Sequence, residues 1–300
     1  MNVLILGGGY IGKNLYSYLN RLHDVTLVTQ KEVDYTFAKK YVAAKGFKEY
    51  LWNVPQVDVV VNCSGYTGVP NVDACESNKE ECWYYNVIAP QKTAELCNLF
   101  KVPVVHISSG CIYAGDEDYT EDDVPNLGLY SDNSSFYSKS KHAGELVLKD
   151  TNTYILRIRM PFCHNDVNKN ILVKLLKYDR VINEMNSLTS IPDLCKLVET
   201  ICVKRSTIDP GIYNAINGGK IKTTVLRNIM SKYGLTNPNW EEVTETSLKL
   251  ACRRSNCTLS NYKLLKNKIE MPNLTDSLVA SIKLLAKEKH KNECQDIEKV

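Results

Sequence analysis

The sequence predicts an α/β protein, a Rossmann-type doubly wound parallel sheet with a smaller C-terminal α/β substrate-binding region. Three observations predict it. Short β-branched apolar runs alternate with longer helical patterns through the first half. A glycine-rich turn closes the first of these runs and opens the first helix. After Pro161 the pattern loosens into shorter helices and scattered strands, as a region capping the first would show.

The elements follow in order. Residues 3–6 are apolar without alternation, which suits a strand buried on both faces. Residues 11–22 read as a helix, 25–29 and 57–62 as strands, and 80–100 as a long helix. Residues 102–108 form another buried strand, 136–149 a helix and 154–159 a strand. Helices are expected over 171–178, 193–204, 223–233 and 275–289, with one strand over 211–216. The expected organisation is a dinucleotide-binding domain over 1–160 and a mainly substrate-binding domain over 161–286, some of whose segments return to the first sheet. A charged tail over 287–300 is expected to fray.

Composition narrows the class. Hydrophobic residues make up 44% of 300, enough for a sizeable core. Lys plus Arg number 37 and Asp plus Glu 34, and a net charge of +3 argues against nucleic acid as a partner. No apolar run approaches the ~20 residues that cross a bilayer. The N-terminus meets glycines at once and lacks a basic leader, so it reads as a strand rather than a signal peptide. The 11 cysteines are scattered without a C-x-x-C pair, which indicates neither a disulfide framework nor a metal site. A reducing, cytoplasmic setting is the expectation.

Gly7-Gly8-Gly9-Tyr10-Ile11-Gly12 lies between the first strand and the first helix. There Gly7, Gly9 and Gly12 let the backbone approach a pyrophosphate, with the N–H groups of Tyr10 and Ile11 at the helix N-terminus. The second strand ends in Val28-Thr29-Gln30-Lys31, without the acid that would hold the ribose 2′-OH of NAD. Lys13 and Lys31 then suit a 2′-phosphate, so NADP(H) is expected over NAD(H); two solvated surface lysines are the plain alternative.

Tyr137-Ser138-Lys139-Ser140-Lys141 sets a phenol and an ammonium on one helix face. The ammonium is expected to lower the tyrosine's proton affinity, so that it protonates a carbonyl oxygen as hydride arrives. The strand ending in His106-Ile107-Ser108-Ser109-Gly110-Cys111 brings a serine to the crevice. Together these resemble the extended short-chain dehydrogenase/reductase family. Val61-Asn62-Cys63-Ser64-Gly65 and Asn86-Val87-Ile88-Ala89-Pro90 match further stations of it. The resemblance implies Tyr137 as proton donor, Lys141 on the nicotinamide ribose, Ser109 completing the triad, and Asn62, Ser64, Gly65 and Asn86 near the cofactor. The glycine turn is one residue shorter than the family's usual G-x-x-G-x-x-G.

Within that family, the run from Tyr66-Thr67-Gly68-Val69-Pro70-Asn71 to Ser77 is similar to nucleotide-4-keto-rhamnose reductases. It is closest to the plant and giant-virus type that makes UDP-rhamnose by 3,5-epimerisation and 4-reduction. Leu156-Arg157-Ile158-Arg159-Met160-Pro161 and Arg254-Ser255-Asn256 continue the likeness. It implies Thr67, Asn71, Cys111, Arg159, His164, Asn170, Arg254 and Asn256 on a nucleotide-sugar substrate. A 4-keto sugar has acidified C–H bonds at C3 and C5, and inversion needs a base on one face and an acid on the other. Cys111 stands two residues past Ser109, where a thiolate reaches such a proton. By resemblance its partner is Lys174, or else His164. The plain readings stand beside these: an inert small core thiol, a solvated lysine and a loop histidine. Two other functions stay open. One is a dTDP-4-dehydrorhamnose reductase without epimerase activity. The other is a non-catalytic NADP-binding subunit resembling the regulatory β subunit of methionine adenosyltransferase. Similar proteins often pair through two helices into a homodimer, and the sequence leaves a monomer equally open.

Overall fold

The protein is described by a computed structural model over residues 1–29, 57–69, 71–248, 250 and 252–297. Its first unit is β1 (Asn2–Leu6), α1 (Tyr10–Leu19), β2 (Asp24–Val28) and β3 (Val57–Asn62). A 3₁₀ turn (Val72–Glu76) leads to α2 (Lys79–Trp83), a π turn (Tyr84–Ile88) and α3 (Ala89–Leu99). Then come β4 (Val104–Ser109), β5 (Gly115–Tyr119), α4 (Phe136–Leu148) and β6 (Thr153–Ile158). The second half holds α5 (Ile171–Lys177), β7 (Arg180–Ile182), β8 (Met185–Asn186), α6 (Ile191–Lys204) and β9 (Gly211–Asn214). It ends with β10 (Ile221–Lys222), α7 (Thr223–Ser231), β11 (Glu241–Val243), β12 (Cys257–Leu259), α8 (Tyr262–Lys266) and α9 (Leu274–Ile297).

The central sheet has the order β2-β1-β3-β4-β6-β9, and its pairings are all parallel. Winding reverses between β1 and β3, so a crevice opens at their carboxyl ends, beside Gly7 and Ser64. β4 and β6 are buried along their whole length, as expected of strands covered on both faces. The largest core joins the sheet to α1 and α6 through Leu15, Leu19, Leu194, Val198 and Ile201. Chain from the second half thus returns to this sheet, as α6 on its face and as β9 at its edge. A separate core gathers Phe162, Leu172, Val173, Met230, Leu278 and Ile282 from α5, α7, α9 and the loop after β6. Among the described residues no helix is long and apolar enough to cross a membrane.

Three differences from expectation have physical causes. The helix expected over 80–100 is interrupted by the π turn, because Pro90 cannot donate the N–H that the Asn86 carbonyl would normally receive. That carbonyl is instead met by α4: a Cβ on Gly144 would lie 2.2 Å from it. The expected end at residue 289 is passed, since α9 continues through its Lys- and Glu-rich segment to Ile297, carried by strong helix formers. The short strands β5, β7, β8, β10, β11 and β12 pair across long sequence separations and show no periodicity of their own.

α4 is fastened to the sheet by charge. Arg157 on β6 donates to Glu145 from Nε at 3.0 Å and from Nη2 at 2.8 Å, and Ser108 donates to Glu145 at 2.6 Å. Arg157 also donates to the Tyr113 hydroxyl at 3.0 Å. Both charged side chains are buried. Arg157→Met strands the Glu145 carboxylate and is expected to lower the unfolding free energy by ~3–5 kcal/mol, measured by urea titration. A loss under about 1 kcal/mol would show that the pair does not fasten the helix.

Candidate active site

The glycine turn is built for close approach. Gly7 has φ of +101°, and a Cβ there would stand 2.7 Å from the Ser64 nitrogen. A Cβ on Gly12 would lie 1.9 Å from the Gly7 carbonyl oxygen, whereas one on Gly9 meets nothing within 4 Å. Gly9 caps α1 without a side-chain hydrogen bond, leaving first-turn N–H groups for a ligand. A dinucleotide's pyrophosphate therefore fits here. The side chains of Tyr10 and Ile11 serve packing: the Tyr10 hydroxyl pairs with Cys163 Sγ at 3.0 Å, and Ile11 packs against the core. Lys13 is exposed on α1, and Lys31 lies outside the described residues.

Beside the turn, Asn62 accepts from the Ser64 N–H at 3.0 Å and from its hydroxyl at 2.5 Å. Asn86 accepts from the Tyr66 N–H at 2.9 Å and donates to the Tyr66 carbonyl at 2.9 Å, so it braces the segment that contains Gly65. It also donates to Ser140 on α4 at 2.9 Å.

Ser109 at the end of β4, Tyr137 and Lys141 converge as the spacing predicts. Ser135 caps α4 by accepting from the Ser138 N–H at 3.1 Å, and the Ser138 hydroxyl donates to the Cys111 carbonyl at 2.6 Å. Ser109 lies close enough to Tyr137 to favour its ionised form. The proton affinity of Tyr137 departs from expectation: burial, then the neighbouring Cys111, holds it well above the ordinary tyrosine value, and Ser109 only partly offsets this. Tyr137 is therefore a phenol, an acid in its protonated form. Lys141 Nζ donates to the Ile107 carbonyl at 3.2 Å; burial lowers its pKa to about 8, against the pull of Glu145, Cys82 and Cys111.

Cys111 adjoins this triad. Its N–H donates to Ser109 Oγ at 3.2 Å, and its Sγ receives Arg159 Nη1 at 3.3 Å. Burial works against the charge on Arg159, while Cys257, Cys111 and Tyr137 favour it and hold its pKa above the ordinary value. Lys174 is lowered by burial, raised by Cys111, and lowered again by Lys169 and Arg254. Lys174 thus lies within electrostatic range of Cys111, Lys169 and Arg254. Lys169, which donates to Thr67 Oγ1 at 3.1 Å, was not singled out from sequence; the one signal was a second lysine five residues before Lys174.

Other expected residues are engaged differently. Arg254 makes a bidentate pair with Asp73, at 2.7 and 2.8 Å. Asn71 caps the 3₁₀ turn by accepting from the Asp73 N–H at 2.8 Å. Asn170 is fully buried, accepts from the Leu172 N–H at 3.1 Å and donates to the Cys163 carbonyl at 2.7 Å. Both asparagines do structural work. Asn256 accepts from Asn186 at 3.2 Å. His164 lies 3.7 Å from Glu288 with 37% of its side chain exposed. Among the described residues there is no cluster fit to hold a metal ion.

Residues 1–287 match the RmlD substrate binding domain. The chain belongs to the RmlD substrate binding domain family. One relative is an Arabidopsis thaliana protein named a bifunctional dTDP-4-dehydrorhamnose 3,5-epimerase/dTDP-4-dehydrorhamnose reductase. It is 30% identical over 232 residues, covering 73% of this chain and 74% of that one. A second Arabidopsis relative is named a trifunctional UDP-glucose 4,6-dehydratase/UDP-4-keto-6-deoxy-D-glucose 3,5-epimerase/UDP-4-keto-L-rhamnose-reductase. It is 31% identical over 73% of this chain, but the match spans only 34% of that longer protein. The RmlD-type fold recurs in the L780 UDP-rhamnose synthase of Acanthamoeba polyphaga mimivirus. The TM-score is 0.81 at 21% identity, covering 95% of this chain and 99% of that one.

Burial disfavours the charged form of Lys141, so the folded state is penalised below pH about 8 and relieved as pH rises towards the ordinary lysine value. Lys141→Met is expected to stabilise the cofactor-free protein by about 1–3 kcal/mol near pH 7, with the gain shrinking above pH ~8. Thermal unfolding at two pH values checks this. A gain that grows with pH would contradict it.

Proposed function

We propose that this protein is an NADPH-dependent nucleotide-sugar 3,5-epimerase/4-reductase converting UDP-4-keto-6-deoxyglucose to UDP-β-L-rhamnose. The observation that carries the proposal is the contact of one thiol, Cys111, with both the reductive triad and a buried guanidinium. Residues 1–160 would hold the cofactor and 161–286 mainly the sugar nucleotide. The lack of an acid in Val28-Thr29-Gln30-Lys31 and the exposed Lys13 in the first turn of α1 support the phosphorylated dinucleotide.

With its pyrophosphate held at the glycine turn, the reduced dinucleotide would supply a hydride for C4 from its nicotinamide. Tyr137, kept as a phenol by burial, delivers its proton to O4. Ser109 hydrogen-bonds the same oxygen, and Lys141 orients the ribose and steadies the phenolate left behind. Cys111 takes the acidified proton at C3 or C5, and Lys174 returns one on the opposite face. Lys169, Lys174 and Arg254 offer cations to the diphosphate once Arg254 leaves Asp73.

A dTDP-4-dehydrorhamnose reductase without epimerase activity is the second reading. It is favoured by the triad being complete through Ser109, Tyr137 and Lys141 without Cys111.

Purified protein incubated with NADPH and UDP-4-keto-6-deoxyglucose is expected to yield UDP-rhamnose, read by NMR. Tyr137→Phe should lower reduction by ~100-fold or more while deuterium from D₂O still enters C3 and C5. Cys111→Ser should lower that exchange by a similar ~100-fold. A reduced but un-epimerised product would establish the second reading instead.

A further inference from the structure

Arg159 heads the largest fully buried side chains, at 1% exposure. A guanidinium keeps its charge in a protein, and a buried charge is stable only against a counter-charge or a full set of acceptors. Arg157, two residues earlier, follows the rule by meeting Glu145. Arg159 does not: it takes part in none of the ion pairs among the described residues. Nη2 donates to Asn186 Oδ1, and to the Ser255 carbonyl at 2.7 Å. Nη1 donates to Ser255 Oγ at 3.1 Å and to Cys111 Sγ at 3.3 Å, and Nε has no partner.

Three groups near this cation are able to become anions. Burial keeps the Tyr137 phenol protonated. Cys257 is also held up by burial, and its Sγ donates to the Gly110 carbonyl at 3.6 Å. Cys111 is half-buried, and its sulfur accepts from the guanidinium rather than donating.

We propose that Arg159 is the positioning residue that keeps Cys111 as a thiolate, serving as the sulfur's counter-ion with its fork fixed by Asn186 and Ser255. This rests on Cys111 being the base of the epimerisation proposed above. In that step the sulfur's electron pair forms an S–H bond with the proton from C3 or C5. The C–H pair becomes the C=C bond of an enolate, and the negative charge passes to O4. Lys174 then gives a proton to the opposite face as the C=C pair returns to carbon. The charge leaves the sulfur only for an oxygen beside Tyr137, so Arg159 stays close to it throughout.

The titratable groups around Cys111 are Tyr137 and Lys141 from α4, Arg159 beyond β6, Lys174 from α5 and Cys257 from β12. Removing Arg159 alone changes the counter-ion. The test is alkylation of the full-length protein by iodoacetamide, with the Cys111 peptide followed by mass spectrometry, for wild type, Arg159→Lys and Arg159→Ala. Cys111 in Arg159→Ala should react about tenfold or more slowly near pH 7 and recover as pH rises to ~9.5. Added methylguanidinium should restore it near pH 7, and Arg159→Lys should stay within about threefold of wild type. Retained NADPH binding confirms that each variant is folded. Unchanged alkylation in a folded Arg159→Ala overturns the proposal, as does a loss that neither high pH nor methylguanidinium repairs. If alkylation depends on Arg159 but the wild type never exchanges C3 or C5 protons, the epimerase reading fails and the thiolate assignment stands.

Discussion

The buried pair between Glu145 and Arg157 ties α4 to the sheet, and the geometry of the candidate site inherits its precision. Glu145 stands one helical turn beyond Lys141, on the same face. Its carboxylate takes hydrogen bonds from strand β6 through Arg157 and from strand β4 through Ser108. One group therefore sets the height of α4 above the two strands whose ends carry Ser109 and Arg159. The same charge partly offsets the burial that drives Lys141 towards its neutral form. From the other side, Gly144 lets α4 seat against the Asn86 carbonyl that Pro90 leaves without its usual donor. A polar clasp and a close helix crossing thus act on neighbouring residues and hold Tyr137 and Lys141 in place.

The site separates groups by ionic form before any substrate arrives. Its phenol and the Cys257 thiol are held neutral by burial, while Arg159 remains a cation whose Nη2 is fixed by the neutral acceptors Asn186 and Ser255. In so dry a setting charges interact strongly, and dipoles fixed by folding need no rearrangement when charge develops. Cys111 sits where these regions meet: Ser109 and Tyr137 on one side, Arg159 on another, and Lys174 with Lys169 and Arg254 further out.

What was legible in the sequence was local. The glycine turn, the serine at a strand end and the Tyr137/Lys141 spacing each sit within a few residues, and each fell where its pattern placed it. The parallel sheet was legible for the same reason, since its strands are continuous apolar runs. What escaped depends on partners far along the chain. Asp73 meets Arg254 across 181 residues, and Arg159 meets Ser255 across 96. Asn71 and Asn170 looked like ligand-binding amides because a capping amide and a binding amide are the same side chain; only the backbone they meet tells them apart. The tyrosine's protonation was not legible because the spacing shows the nearby ammonium but not the burial that outweighs it. The π turn was hidden because helical periodicity does not register one extra residue in a turn.

Under the proposed function, in which Arg254 meets the diphosphate, the Asp73–Arg254 pair bears on which molecules are admitted. In the resting protein this guanidinium already grips a carboxylate with both arms, so the protein carries its own stand-in for an anionic guest. Any incoming group must displace that resident rather than fill an empty socket. A lone carboxylate or a monoester gains little by replacing an equal. A diphosphate, with more oxygens and with Lys169 and Lys174 at hand, has the advantage in the exchange. Under the proposed function the pair would act as a sieve for polyanions, excluding small anionic metabolites by competition rather than by shape.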